Sequence, residues 1–447
     1  MRAGALVLAA LLLLGAAFVN GYPLVFYDTG DYIAMSFTYE PIIYRTIPYA
    51  LFLRATHWGL TLWLPVIAQA LIAAWVIGVF LASMGLRGLF VLPAAILLLV
   101  LLTPLPWFAG QLMPDIFAGV AVLALIALAL GEGISPRRRW LLLAVVVAGG
   151  AVHLTHMAVL AGLFLCFVAA RVLRQQVRLL LPALAVALSL AVPPLANAVL
   201  TGRAYYSEAG PVFLFARLVQ DGIAQDYLNE ACLEQEHRYD FCAWRGVLPK
   251  TANDLLWAHD SVVASMGGWH RVKGDAGRVV ADSLVAMPWR HLTAAFANLV
   301  EQFVSFRAGE GLDVNQWEDS RTMVWQYFPA DAPAYRDSLQ QATRLRFDAL
   351  NAVYVLVGGA ALLLLLPAIA LAWRRQRRVA LACAFILLAL LGNAAICGIL
   401  SNPAHRYQSR IVWLAPLAAA LALLSRRSGQ NTIRRSSAVG TGTQSAV

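Results

Sequence analysis

The sequence predicts an all-α polytopic membrane protein of about ten transmembrane helices, with a mostly helical insertion outside the bilayer. Three observations carry that prediction. The 447 residues are 60% hydrophobic and only 13% charged, with a mean hydropathy of +0.69. Apolar stretches of about 17–25 residues, the length that crosses a hydrocarbon core of roughly 30 Å, recur along most of the chain. Basic residues fall in groups between these stretches rather than along one soluble face. A closed β-barrel would show short alternating segments instead. The net charge of +10 therefore reads as positive-inside topology and not as a nucleic-acid surface.

The first apolar segment, AGALVLAALLLLGAAFV, follows a basic start at Arg2 and resembles a signal sequence. The VNGYPLVFYD that follows offers a poor small-x-small cleavage site, so the segment is expected to remain as a signal anchor. Further spans are predicted near 60–84, 87–104, 112–131, 140–154, 157–173, 179–200, 350–373, 379–400 and 410–425, the first being 3–20. The short pair at 140–154 and 157–173 also reads as one long broken helix. Arg87, Arg137–Arg139, the group Arg171, Arg174 and Arg178, the group Arg374, Arg375, Arg377 and Arg378, and the group Arg426, Arg427, Arg434 and Arg435 then all fall on one side. By the positive-inside rule that side is the cytoplasm, and both termini lie there.

This layout divides the chain into an N-terminal transmembrane region (1–202) with a first external loop at 21–59, an external insertion (203–348), a C-terminal transmembrane region (349–425) and a disordered cytoplasmic tail (426–447). Within the insertion, 212–228 and 291–306 have helical apolar spacing and are expected to lie on the membrane surface or pack over the spans. Cys232 and Cys242 are the only cysteines outside predicted spans, and in an oxidising compartment they are expected to pair. Cys166, Cys383 and Cys397 read as small core residues. The compact loops and arginine-rich composition point to the inner membrane of a bacterium.

Polar residues gather at the predicted external ends of the spans. The first loop supplies Asp28 and Asp31 in YDTGDY, and Arg45 in YRTIPYALF; LMPDIF supplies Asp115; HLTH supplies His153 and His156; SNPAHRYQSR supplies Arg406, Tyr407 and Arg410. On a helix, Asp28 and Asp31 share one face, where mutual repulsion raises one carboxyl pKa and suits it to act as a base. Alternatively Asp28 caps that helix and Asp31 is a solvated first-turn acid. Asp115 reads either as a dipole-stabilising first-turn acid or as an acid facing a polar cavity. His153 and His156 are close enough to share a divalent metal or a phosphate, although such pairs are common by chance. Arg406 and Arg410, four apart, suit a phosphate clamp or lipid headgroups.

These motifs resemble those of the GT-C superfamily of integral-membrane glycosyltransferases, in the branch of polyprenyl-phosphate mannosyltransferases and lipid A aminoarabinose transferases. YDTGDY is similar to the family's acid motif in the first external loop, and YRTIPYALF to a diverged form of its second element. LMPDIFAG is similar to the acid that begins a later span, and HRYQSRIVWLAPL to an Arg-Tyr element before a late one. The usual Asp-Glu pair is replaced by Asp28 and Asp31, and the large insertion precedes the last three spans instead of following them all.

The resemblance implies an inverting sugar transfer at the external membrane face, from a polyprenyl-phosphate donor to a hydroxyl on an envelope glycan, lipid or protein. Asp31 or Asp28 would be the base. Arg45, Arg406, Arg410 and Tyr407 would hold the donor phosphate, and Asp115, His153 and His156 would meet the acceptor or a divalent metal. A transporter or flippase for a lipid-linked sugar or anion is the competing reading, but it would place ionisable residues near mid-membrane between broken helices. A non-catalytic envelope assembly factor is a third, and it predicts that the first-loop charges are dispensable.

Overall fold

The computed structural model describes residues 2–312 and 318–425. Among the described residues the fold is helical, without a β-strand. The tail expected to be disordered, 426–447, lies outside them.

Each predicted span coincides with helix. The first is broken into α1 (Ala3–Leu13) and α2 (Gly15–Asn20). The first loop is not open coil: it carries α3 (Thr29–Thr38) and α4 (Pro48–His57), the latter begun by a proline whose fixed φ suits a first helical position. There follow α5 (Trp63–Ser83), α6 (Val91–Leu102), the short α7 (Leu105–Ala109), α8 (Ile116–Leu130), α9 (Pro136–Ala151), α10 (Leu154–Val172) and α11 (Leu180–Thr201). The segments at 140–154 and 157–173 are two helices, α9 and α10, parted at His153 and packed on one another.

The insertion contains α12 (Gly210–Gln220), α13 (Ile223–Glu234), a 3-10 turn at Asp240–Val247, α14 (Ala252–Trp257), α15 (Val262–Ser265), α16 (Trp269–Ala286), α17 (Pro288–Val304), α18 (Glu318–Tyr327) and α19 (Ala332–Arg336). The chain closes with α20 (Asp348–Arg375), α21 (Arg377–Leu400), α22 (His405–Val412) and α23 (Leu414–Leu424). Among the described residues, six segments are long and apolar enough to cross a membrane: α5, α10, α11, α20, α21 and the stretch His405–Leu424. α1, α6 and α8 are apolar but shorter, and α9 opens on the Arg137–Arg139 run.

α8 organises the bundle. Every one of its residues, Ile116 to Leu130, is buried, as expected of a helix apolar on all sides. It is enclosed by α5, α9, α10, α11, α21 and α22. Its two ends differ in chemistry. At the C-terminal end basic side chains converge: Arg178 donates to the Gly131 carbonyl at 2.6 Å, Arg378 pairs with Glu132, and Arg377 donates to Gln175 at 2.9 Å. At the N-terminal end stands Asp115.

The insertion is built in two parts. Residues 210–287 surround their own apolar core, including Phe215, Leu218, Phe241 and Val279. Cys232 and Cys242 form the expected disulfide there. The amphipathic stretch 212–228 is two helices, turning at Asp221 and Gly222, and its apolar face is spent on this core rather than on a membrane surface. The second part straps the first loop. Asp331 accepts from Tyr22 Oη, Thr61 Oγ1 and the Leu62 amide at 3.0, 2.9 and 2.8 Å, and the Gln340 amide group bonds both backbone polar atoms of Val25.

Candidate functional site

Four separate stretches of chain meet at the N-terminal end of α8. The first loop is fixed there by a short parallel bridge: the Leu24 amide donates to Gly110 O and the Leu112 amide to Leu24 O, both at 2.9 Å. Thr29 Oγ1 accepts from the Phe26 amide at 2.9 Å and donates to Leu112 O at 3.2 Å, folding the turn that presents Asp28. From the strap, Ser320 Oγ accepts from the Gly30 amide at 3.0 Å and faces the carbonyls of Phe26 and Tyr27 at 3.2 Å.

α22 is positioned by the insertion. Gln302 on α17 brackets the Ala404 peptide, donating to its carbonyl at 2.8 Å and accepting from its amide at 3.0 Å. The Arg406 amide donates to Glu310 at 2.7 Å, and Ser409 Oγ to Arg307 O at 2.8 Å. Trp413 lies so close to Gly119 of α8 that a Cβ there would come within 2.6 Å of the indole, and Trp413 Nε1 donates to Arg410 O at 3.0 Å. That contact sets the height of Arg410 against Asp115.

The result is one connected ionic cluster. Asp115 begins α8 but makes no side-chain cap bond; instead its carboxylate takes Arg406 Nη2 at 2.9 Å and Arg410 Nη1 at 3.1 Å. Arg406 Nη1 also reaches Asp28 at 3.7 Å, and Arg45 pairs with Asp28 and lies 3.5 Å from Asp31. Asp28 likewise makes no cap bond to α3, so both aspartates at helix starts are turned away from capping and into the cluster. Burial pulls the Arg45 pKa down, but Asp28 above all, then Tyr32 and Asp31, outweigh it and leave it above the ordinary arginine value.

Accessibility is graded across the cluster. The Asp115 and Arg410 side chains are fully buried, Arg406 is 10% exposed, Asp28 19% and Asp31 25%. Arg410 is occupied on the inner side: Nη2 lies 2.9 Å from Thr155 Oγ1 and 3.3 Å from Asn393 Oδ1. Its charge therefore reaches the opening only through Asp115. The Arg406 guanidinium lies 3.8 Å from the centre of the Phe26 ring. On another side of that ring Gly311, at φ +73°, approaches so closely that no Cβ would fit. A crevice beside Arg406, bordered by Trp107, Gln111, Arg307 and Glu310, has a volume of about 10 Å³. Tyr407 lies under Arg410, 5.2 Å from ring centre to guanidinium, and its carbonyl accepts from Asn393 at 2.7 Å.

The two histidines adjoin the cluster with their rings stacked at 5.1 Å. His153 Nδ1 caps α10, accepting from the Thr155 amide at 3.2 Å, and the Thr155 hydroxyl at 2.8 Å joins it to Arg410. His156 Nδ1 donates to Gly149 O at 2.9 Å. One nitrogen of each ring is thus committed within the protein, and among the described residues no group of three His, Cys, Asp or Glu side chains converges as a metal site.

The structure thus joins Asp28, Asp31, Arg45, Asp115, Arg406 and Arg410 in one cluster, with His153 attached through Thr155. Spacing alone did not reveal Thr155, Asn393, Ser320, Glu310 or Gln302. Of these only Asn393, a lone amide inside the apolar run 379–400, carries a sequence signal. The chain matches no family model, no curated protein and no solved structure.

Proposed function

We propose that this chain is a GT-C-type glycosyltransferase of about ten spans, acting at the external face of a bacterial inner membrane. The observation that carries the reading is the cluster itself: three carboxylates and three guanidiniums brought from distant segments to one end of the central helix. The gathering of Arg178, Arg377 and Arg378 at the opposite end of α8 supports an external position for Asp115. A transporter reading draws no comparable support, because the ionic residues sit at a helix end rather than halfway along broken helices.

Transfer needs a base for the incoming hydroxyl and cations for the departing phosphate. Arg45 and Arg406, the partly accessible guanidiniums, receive the phosphate of the polyprenyl donor. In the resting arrangement Arg45 contacts both Asp28 and Asp31, and Arg406 also reaches Asp28. A phosphate that takes these donors releases carboxylate, so donor binding and unmasking of the base are one event. Asp31, the more exposed acid, then accepts the acceptor's proton. Asp115 and Arg410 are the buried foundation that holds Arg406 in place.

The test is sugar transfer from purified polyprenyl-phosphate sugars by the detergent-solubilised protein. Asp31→Asn is expected to lose at least about 10²-fold in rate with unchanged folding, the range for removal of a general base. Full activity in both Asp28→Asn and Asp31→Asn would remove the carboxylate mechanism.

A further inference from the structure

The far end of α8 from Asp115 holds a second feature, which the proposed chemistry does not use. A cavity of about 410 Å³ opens between the last turns of α5, the start of α6, the 132–134 turn after α8 and the first turn of α9. Because α8 has 15 residues rising about 1.5 Å each, this cavity lies roughly 22 Å from the ionic cluster. It is large enough for a small organic ligand, which takes about 300–1,000 Å³.

Its lining is divided. Val79, Leu86, Val91, Leu92 and Ile134 make an apolar wall, while Arg87 and Arg138 supply cations. Arg87 is held in position: its Nε donates to Ala82 O at 3.3 Å, and its Nη2 lies 2.8 Å from where a Cβ of Gly133 would stand. Glu132 also lines the cavity, but it pairs with Arg378 from α21. Neither Arg87 nor Arg138 has a carboxylate partner among the described residues, so the two arginines set the sign of the site. Leu89 and Phe90, between the lining residues Gly88 and Val91, are exposed.

Two guanidiniums above an apolar wall, at the helix ends where basic loops collect, match an anion that continues into hydrocarbon. We infer that this cavity binds a phosphate ester, held by Arg87 and Arg138, with the apolar wall taking the glycerol and first acyl carbons of an anionic phospholipid. The site is separate from the proposed reaction centre, and it stands whether or not that reading holds.

The experiment uses the full chain in phosphatidylcholine nanodiscs with or without phosphatidylglycerol, and counts retained lipids by native mass spectrometry. The double variant Arg87→Gln/Arg138→Gln is expected to lose phosphatidylglycerol retention about tenfold, from the attraction that each arginine contributes to an anionic headgroup. A control, Arg171→Gln/Arg174→Gln, removes the same charge from exposed positions outside the cavity and is expected to keep wild-type retention. Unfolding midpoints of all three proteins establish that they are folded. Retention that millimolar inorganic phosphate does not displace assigns the lipid, and displacement by inorganic phosphate assigns a free phosphate at the same arginines. Equal retention by wild type and the cavity variant overturns the site, as does an equal loss in the control, which would reduce the effect to general surface charge.

Discussion

Arg406 joins two acids that lie far apart in sequence: its Nη2 is 2.9 Å from Asp115 and its Nη1 is 3.7 Å from Asp28. One guanidinium therefore couples the fully buried end of α8 to the accessible first loop. Geometry and charge can be separated here. Arg406→Lys keeps the charge but cannot bond Asp115 through two nitrogens, as Nε and Nη2 now do at 3.3 and 2.9 Å. Stability in detergent is expected to fall modestly in Arg406→Lys, while the proposed transfer activity falls about tenfold or more. Asp115→Asn leaves two guanidiniums without their shared counter-charge, which costs about 3–5 kcal/mol for a buried pair. It is expected to lower the unfolding midpoint far more than Asp28→Asn does. A midpoint for Asp115→Asn equal to that of wild type would show that the cluster does not hold the helix ends together.

His57 makes the stability of the first loop depend on pH. Its Nε2 lies 3.1 Å from Ser36 Oγ, whose own proton goes to Ile33 O at 2.7 Å, and its Nδ1 accepts from the Gly59 amide at 2.8 Å. Both ring nitrogens are thus satisfied in the neutral form, and a second proton would have to replace an accepted bond. Burial first, then Arg54, lowers the pKa from 6.5 to about 4. Because the folded value is the lower one, the unfolded chain takes up the proton first. The contribution is complete above about pH 6.5 and is lost as pH falls to about 4, at no more than about 1.4 kcal/mol per pH unit. In thermal unfolding across that window, His57→Gln is expected to show a shallower pH dependence than wild type. Parallel curves would remove His57 as the source.

The parts of this architecture that were legible in the sequence are those where an ionisable residue breaks an apolar run. Asp115 precedes IFAGVAVLALIALAL and Arg410 precedes IVWLAPLAAALALL, so each is placed at a span end by hydropathy alone. Basic-loop alternation then assigns both to the same end, where they are in contact at 3.1 Å. What spacing could not supply is the choice between a cap and a cross-chain partner. Asp28 and Asp115 both stand at helix starts, where a short acidic side chain ordinarily bonds its own backbone. Only the tertiary approach of Arg45 and Arg406 draws them away. The strap was illegible for a related reason. Ser320 and Gln340 bond backbone atoms of the first loop, and Asp331 the Tyr22 hydroxyl and the Leu62 amide just after it, across the whole intervening chain, and no local pattern marks such contacts. The single amphipathic reading of 212–228 missed the turn at Asp221 and Gly222, since apolar periodicity continues on both sides of it.

The disulfide ties α13 to the 3-10 turn that follows it. A closed loop of this length restricts the unfolded chain by about 2–3 kcal/mol in the chain-entropy description. Cys232→Ser/Cys242→Ser is expected to lower the unfolding midpoint of the insertion, whose core contains both cysteines, and a reductant should lower wild type toward the same value. Alkylation of the unfolded, unreduced protein should label Cys166, Cys383 and Cys397 only. Labelling at Cys232 or Cys242 without reductant would overturn the pairing.

α17 has the reverse of a soluble helix's polarity. It buries His291, Asn298 and Gln302, with Asn298 donating to Asp221 at 2.9 Å and Gln302 clasping Ala404. It turns Trp289, Leu292, Phe296, Val300 and Val304 outward, Trp289 being 77% exposed and Phe296 68%. A stripe at this spacing would be costly in water, yet it suits contact with lipid, and an outward indole is typical of the interface. The helix packs along α21, itself long and apolar enough to cross a membrane, so its free face and the lipid-facing side of that helix are neighbours. Trp289 is accordingly expected to be in contact with lipid in the folded protein. With 13 tryptophans in the chain, the measurement is a difference: bromine-substituted phospholipids should quench wild-type fluorescence more than that of Trp289→Phe. The difference emission should be blue-shifted relative to an indole in water. An unquenched, red-shifted difference would place Trp289 in solvent and leave the stripe to cover something other than lipid.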